Sequence, residues 1–143
     1  ECSETEKKLI EEAKKVSRHA YAPYSSFCVG AAALLEDGTI LPANNQENAA
    51  YPLGLCAERI AVFFANANFP EKKITAIAIA AFHEGKFTKK AVTPCGACRQ
   101  VLWETENRFE SPIKTVMYGE DGIYIVDSIK ELLPLNFGEE IPL

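Results

Sequence analysis

The sequence predicts an α/β protein in which helices and strands alternate along one domain, residues 1–143. Three observations favour this class. The 143 residues, 48% of them hydrophobic and 24% charged, suit one domain with a substantial core. Helical and strand patterns alternate along the chain, which is typical of layered α/β folds. The strand patterns are nearly continuous apolar runs, which predicts a sheet covered on both faces.

The first part of the chain predicts one helix followed by two strands. Ser3 and Glu6 form a capping box, which starts a helix with one apolar face. That helix ends before Pro23, because proline cannot continue a helix. VGAAALL (29–35) predicts a buried strand, and the turn EDGT leads into a second strand, ILPA (40–43).

The middle of the chain predicts a loop, a helix and a long strand. NNQENAAYPLG (44–54) is polar and contains proline and glycine, so it predicts a loop. The pattern from Cys56 to Asn66 is helical, and we expect its Phe63 and Phe64 to belong to the core. ITAIAIAAF (74–82) predicts a buried strand that ends at the turn HEGK.

The last part predicts a third helix, two strands and a short helix. The third helix begins with CGACRQVLWETE (95–106). IKTVMYG (113–119) and IYIVD (123–127) predict strands joined by the turn EDG. Ser128 caps a short helix in SIKELLP. The sequence therefore predicts five strands.

Composition argues against several classes of protein. The chain carries 15 basic and 20 acidic residues, a net charge of −5, which disfavours a nucleic-acid partner and suits a small neutral substrate. Its apolar runs are far shorter than the roughly 20 residues of a membrane span, and no signal-peptide pattern is present. With five cysteines and no such signal, we expect a cytoplasmic protein whose thiols serve a metal or catalysis rather than disulfides.

Three of the cysteines predict a metal site. Cys95 and Cys98 are spaced as C-x-x-C at a helix start, so both sulfur atoms can face one ion. Cys56 begins another predicted helix, and helix N-termini stabilise thiolates. Three protein ligands leave the fourth position of zinc open, as in catalytic sites. We therefore predict one Zn²⁺ per chain, although iron or cobalt also suits sulfur ligands.

Glu58 is the predicted proton carrier beside this metal. Residues two apart in a helix point about 200° apart, so Cys56 and Glu58 converge only if Cys56 occupies the non-helical cap position. Glu58 would take a proton from zinc-activated water and pass it to the substrate. Arg59 or Arg99 could donate hydrogen bonds to the sulfur atoms. C-x-E followed by P-C-x-x-C (94–98) is the signature of zinc deaminases, here with Cys56 in place of histidine.

The chain resembles the small homotetrameric cytidine deaminases that act on free nucleosides. Four segments carry the resemblance over nearly the whole chain: YAPYSSFCVGAA (21–32), NQENAAYPLGLCAER (45–59), PCGACRQV (94–101) and ELLPLNFG (131–138). The resemblance implies a three-layer α/β/α fold with a five-stranded mixed sheet. It also implies pyrimidine salvage by hydrolysis of cytidine and 2′-deoxycytidine, with attack of zinc-bound hydroxide on C4.

The resemblance assigns roles to individual residues. Asn45 and Glu47 match the pair that holds the ribose 3′-hydroxyl, and Phe27 matches an aromatic residue of the base pocket. Ala57 matches a backbone N–H that holds the cytosine carbonyl, and Thr93 a backbone carbonyl that faces the 4-amino group. Four residues match the zinc ligands and the arginine that hydrogen-bonds them: Cys56, Cys95, Cys98 and Arg59. Three match residues lent to the site of a neighbouring subunit: Ala49, Tyr51 and Phe137.

Two alternatives remain open. The same chemistry could act on a modified cytosine nucleoside, a nucleotide or a base in RNA. Alternatively, the chain could be a non-enzymatic zinc-stabilised or redox module. A fourth protein ligand, or a disulfide between Cys95 and Cys98, would favour that second alternative, whereas the placement of Glu58 counts against it.

Overall fold

A computed structural model describes residues 1–141 of the chain. Within these residues the chain forms three α-helices, six β-strands and two short 3₁₀ helices. In chain order they are α1 (Glu4–Ser17), β1 (Phe27–Leu35), β2 (Ile40–Asn44), a 3₁₀ helix (Tyr51–Leu53), α2 (Ala57–Asn68), β3 (Ile74–His83), β4 (Lys86–Phe87), α3 (Gly96–Phe109), β5 (Lys114–Gly119), β6 (Gly122–Val126) and a second 3₁₀ helix (Ile129–Leu132). No helix in this range is long and apolar enough to cross a membrane.

The strands form one mixed sheet in the order β2-β1-β3-β5-β6. Neighbouring strands are antiparallel except β3 and β5, which pair in parallel. A parallel pair needs a long crossover, and α3 lies in that connection. The prediction of a five-stranded mixed sheet is confirmed, and the two-residue β4 adds a sixth, short strand paired to the end of β3.

Helices cover both faces of this sheet. On one face, Leu9 and Ile10 of α1 pack against the small side chains of β3, which are Ala76, Ala78 and Ala80. On the other face, Trp103 of α3 and residues of α2 pack in a core that includes Ile77 of β3. Successive residues of a strand point to opposite faces, so β3 contributes to both cores. The predicted three-layer α/β/α architecture is confirmed.

Close contact between α1 and the sheet depends on Gly30 of β1. A Cβ atom at Gly30 would lie 1.9 Å from the carbonyl oxygen of Ala13, so only glycine allows this approach. The capping box predicted for α1 is present, since Ser3 and Glu6 exchange backbone-to-side-chain hydrogen bonds of 2.8 and 3.2 Å. The N-terminal helix therefore lies where its local sequence signals place it.

The expectation that Phe63 and Phe64 belong to the core is wrong. Their exposed fractions are 46% and 51%. The buried face of α2 consists of Ala57, Glu58, Ala61, Val62 and Ala65. Small side chains thus let α2 lie close to the sheet, and the two phenylalanines lie on the exposed side of α2.

Candidate active site

Three cysteine sulfur atoms meet where α2 and α3 begin. Cys56 is the N-cap of α2 and Cys95 is the N-cap of α3, both with extended backbone, and Cys98 lies in the first turn of α3. The Sγ atom of Cys95 lies 3.8 Å from that of Cys56 and 3.5 Å from that of Cys98. All three atoms lie within 4.8 Å of one another. Cys56 occupies the non-helical cap position that the sequence argument required.

Local backbone contacts hold both caps. Leu55 exchanges two backbone hydrogen bonds with Gln46, of 2.9 and 3.0 Å, so the chain enters α2 in an extended conformation. The Cys56 carbonyl then accepts the first helical hydrogen bond from Ile60, at 3.1 Å. Pro94 precedes Cys95, the cap of α3. Thr93, the residue before this proline, is therefore biased away from helical backbone. Each helix therefore begins at its cysteine and not before it.

The sulfur geometry fits a zinc ion. With Zn–S bonds of about 2.3 Å, tetrahedral zinc holds its sulfur ligands ~3.8 Å apart, close to the separations of Cys56, Cys95 and Cys98. In the part of the chain that the structure describes, the cluster contains these three residues and no fourth His, Cys, Asp or Glu. A set of three protein ligands is the arrangement of catalytic zinc sites, which keep one position open.

Glu58 is buried directly beside this cluster. Its exposed fraction is 5%, and its Oε2 accepts a hydrogen bond from the Cys98 Sγ at 3.6 Å. Burial raises the pKa of the Glu58 carboxyl, and the negative charge of Cys56 adds to this effect. A carboxyl group with a raised pKa can both accept and deliver protons near neutral pH.

The two arginines of the site have different partners. The Arg59 Nη2 donates to the Cys56 Sγ at 3.6 Å. The neighbouring Cys98 thiol and the Arg59 guanidinium lower the pKa of Cys56 to about 5, which favours its thiolate form. Arg99, by contrast, donates to the carbonyls of Pro94 and Leu132, so it is not the sulfur partner that the sequence left possible.

A cavity of about 350 Å³ opens beside the cluster, a size suited to a small ligand. Eight of its lining residues are ones to which the sequence resemblance assigns a role: Phe27, Asn45, Glu47, Cys56, Ala57, Glu58, Thr93 and Cys95. Three are residues that the sequence analysis missed: Ser25, Val29 and Val92. Val29 follows from strand periodicity, because residues 27 and 29 of β1 share one face. Ser25 does not, because it precedes β1 and is separated from it by Ser26, whose φ is 56°. Val92 carries no such signal.

Asn45 and Glu47 are held in place by their own backbone surroundings. The Asn45 Oδ1 accepts from the Val29 N–H at 2.8 Å, and its Nδ2 donates to the Phe27 carbonyl at 2.9 Å. The Glu47 carboxylate accepts from the Ser25 hydroxyl and from the backbone N–H groups of residues 24 and 25. These hydrogen bonds, led by that of Ser25, lower the pKa of Glu47. The carboxylate therefore stays ionised at the cavity wall.

Ala49, Tyr51 and Phe137 do not line this cavity. Ala49 is exposed, and the exposed fractions of Tyr51 and Phe137 are 74% and 70%. Tyr51 instead borders a second cavity of about 380 Å³, which shares Ser25 and Glu47 with the first. Within one copy of the chain, the structure does not bring these three residues to the cysteine cluster.

Three thiols and a buried carboxylic acid at two helix starts define a zinc-dependent deaminase with a three-cysteine ligand set. Residues 3–119 match the cytidine and deoxycytidylate deaminase zinc-binding region. The chain belongs to this family, and its metal cofactor is zinc.

Similar proteins support this assignment. The chain is 43% identical over 133 residues to a cytidine deaminase of Sporosarcina psychrophila, covering 93% of this chain and 91% of that protein. It is 38% identical over 134 residues to a cytidine deaminase of Mycobacterium tuberculosis, covering 91% and 88%. The crystal structure of cytidine deaminase from Burkholderia pseudomallei superposes with a TM-score of 0.77 at 38% identity, covering 92% of this chain and 98% of that one.

Proposed function

We propose that the protein hydrolyses cytidine and 2′-deoxycytidine to uridine and 2′-deoxyuridine, with release of ammonia. The observation that carries this proposal is the buried Glu58 carboxyl against the three-cysteine cluster, at the wall of a cavity of about 350 Å³. The similar proteins named above are cytidine deaminases, which supports a cytosine nucleoside as the substrate class. The net charge of −5 favours an uncharged nucleoside over a nucleotide or RNA.

In this proposal, Cys56, Cys95 and Cys98 hold the zinc ion. When bound, the ion supplies a Lewis acid that lowers the pKa of water toward about 7. Glu58 takes a proton from the water that attacks C4 and delivers it to N3 of the cytosine ring. It then takes the second proton, from the new C4 hydroxyl group, and delivers it to the departing amino group, which leaves as ammonia. Its burial suits this role, because the raised pKa favours the protonated form that must donate. Arg59 stabilises the Cys56 thiolate through its hydrogen bond.

The remaining cavity residues position the nucleoside. Asn45 and Glu47 hold the ribose 3′-hydroxyl, since an amide and a carboxylate together can donate to and accept from one hydroxyl. Their fixed hydrogen bonds to neighbouring backbone place both groups before the substrate arrives. Phe27 provides an apolar surface for the base, and the Ala57 N–H binds its carbonyl oxygen. All four residues line the same cavity, which supports these roles.

The activity is tested by the ultraviolet absorbance change when the zinc-loaded protein meets cytidine or 2′-deoxycytidine. We expect conversion to the uridine spectrum for both nucleosides, and none for cytidine monophosphate or a cytosine-containing RNA oligonucleotide. No conversion of either nucleoside by protein that carries one zinc per chain would contradict the proposal. Modified cytosine nucleosides would then be the next substrates to examine.

We also propose that the protein is a homotetramer in which Ala49, Tyr51 and Phe137 complete the site of a neighbouring copy. The high exposure of Tyr51 and Phe137, and of Phe63 and Phe64 on α2, supports an apolar contact between copies. We expect light scattering to give about four times the 15.7 kDa mass of one chain.

Subunit complementation tests the exchange of residues between copies. The inactive variant Glu58→Gln and the impaired variant Phe137→Ala are mixed, dissociated and reassembled. Hybrid assemblies contain sites with both native residues only if Phe137 acts in a neighbouring copy, so we expect activity above that of either variant alone. Full activity of an isolated monomer, or mixtures no more active than their parts, would contradict the exchange.

We propose a cytoplasmic location, as the sequence predicts. Among the described residues, all five cysteines are free thiols. A reducing compartment keeps thiols available as metal ligands. Cell fractionation should place the protein with cytoplasmic markers, and recovery from an oxidising compartment would contradict this.

A further inference from the structure

We propose that Arg99 is a positioning residue that fixes the segment Val92–Pro94, of which Val92 and Thr93 line the cavity wall. It follows the cluster residue Cys98 directly in the first turn of α3. This inference rests on the proposed function of the site, because it concerns the wall against which the substrate would bind.

The guanidinium of Arg99 joins three segments of the chain. Its Nε donates to the Pro94 carbonyl at 2.8 Å, and its Nη2 donates to the Thr93 Oγ1 at 3.2 Å. Its Nη1 donates to the Leu132 carbonyl at 2.8 Å. The planar guanidinium presents its donors in a fixed fork, so these three bonds define the position of the wall relative to α3.

Few other hydrogen bonds support the wall. Residues 91–94 belong to no helix or strand, and within residues 1–141 they make no backbone-to-backbone hydrogen bond. The preceding residues are held, because the N–H groups of Glu120 and Asp121 donate to the carbonyls of Thr88 and Lys89. Beyond Lys89, the polar contacts of the wall are those that Arg99 makes. The side chain of Arg99 therefore supplies the hydrogen bonds that hold this segment, in place of the backbone hydrogen bonds that a neighbouring strand supplies in a sheet.

The segment at the far end of the Arg99 link is itself held by hydrogen bonds. Leu132 ends the second 3₁₀ helix, and the first N–H of that helix, from Ile129, donates to the buried Glu106 Oε2 at 3.0 Å. The same oxygen accepts from the Ile113 N–H at 2.8 Å. Arg99 thus connects the wall to a segment that Glu106 of α3 already holds in place. None of its side-chain hydrogen bonds reaches a sulfur atom, so Arg99 acts on the wall and is not a hydrogen-bond partner of the three thiols.

Arg99→Ala and Arg99→Lys in the zinc-loaded, full-length protein test this inference. We expect both variants to keep one zinc per chain, while kcat/KM for cytidine falls by about 100-fold, because small displacements of positioning groups have effects of that order. Lysine should not restore the rate, since a single ammonium cannot replace the fork of donors. Added guanidinium ion at non-denaturing concentration should raise the rate of Arg99→Ala and leave that of the native protein unchanged.

Arg108→Ala is the matched control. Arg108 lies on the same helix and also donates to a proline carbonyl, that of Pro70 at 3.3 Å, but the segment around Pro70 does not line the cavity. We expect its kcat/KM to equal that of the native protein. Near-normal kcat/KM in Arg99→Ala, or an equal loss in Arg108→Ala, would overturn the positioning role.

A measurement independent of substrate separates this inference from the proposed function. In the native protein we expect backbone ¹⁵N order parameters of about 0.85 for Val92 and Thr93, falling below about 0.6 in Arg99→Ala. Unchanged order parameters would overturn the inference even if the enzyme is active. Conversely, a native protein that leaves cytidine unchanged while these values fall would overturn the proposed substrate and keep the role of Arg99.

Discussion

We expect Glu58→Gln to lower kcat for cytidine by about 100- to 10,000-fold, while the protein keeps one zinc ion per chain. The amide has nearly the size of the carboxyl group and can occupy the same buried position against Cys98. It cannot take up or release a proton, so the contribution of general acid–base catalysis is lost. The ultraviolet assay measures the rate, and metal analysis of the same sample measures the zinc content.

Glu104→Gln is the control for this substitution. Glu104 is exposed on α3 and does not line the cavity, so its replacement makes the same chemical change without touching the site. We expect an unchanged rate. A near-normal rate for Glu58→Gln would remove its role as proton carrier, and a loss of zinc would show instead that the carboxylate holds the metal.

We expect Cys95→Ala to abolish both zinc binding and activity. Two remaining thiols do not retain the ion against dilution, because each ligand contributes a large share of the binding free energy. Cys95 is the better test than the fully buried Cys98, since it is exposed at the start of α3 and alanine leaves no cavity in the core. Metal analysis should find less than about one zinc per ten chains.

Cys28→Ala is the matched control for the cluster. Cys28 is a partly buried cysteine of β1 that does not belong to the three-sulfur group, so the variant should keep full zinc content and rate. Full zinc content in Cys95→Ala would mean that the ligand set is wrong.

Arg59→Ala should keep zinc but bind it about 10- to 100-fold more weakly in competition with a chelator, because the Cys56 thiolate loses its hydrogen bond.

Most of the fold follows from local signals. The capping box of α1 and the apolar runs of the strands each report on a few consecutive residues, and the structure contains the elements they predict. The position of Cys56 outside its helix also follows from the sequence, because the geometry of a helix allows Cys56 and Glu58 to converge in no other way.

Local sequence signals do not predict which face of a helix is buried or which short segments pair as strands, because both depend on how the elements pack together. The pattern of α2 shows that apolar residues are present, but Phe63 and Phe64 are exposed because the close approach of α2 to the sheet selects the alanine face. The two-residue β4 is too short to produce a pattern of its own, and it exists only as a pairing partner of β3.

The sequence by itself determined the type of chemistry. Three cysteines and a glutamate at recognisable spacings specify a sulfur-ligated metal and a proton carrier, because ligand type and spacing along one helix turn are local properties. Only the tertiary structure decided how the site is assembled. The parallel pairing of β3 and β5 and the packing of α2 against α3 bring Cys56 to within 3.8 Å of Cys95. The same packing gives Arg99 its partners in the cavity wall and at Leu132, which are contacts between distant segments that no local pattern encodes.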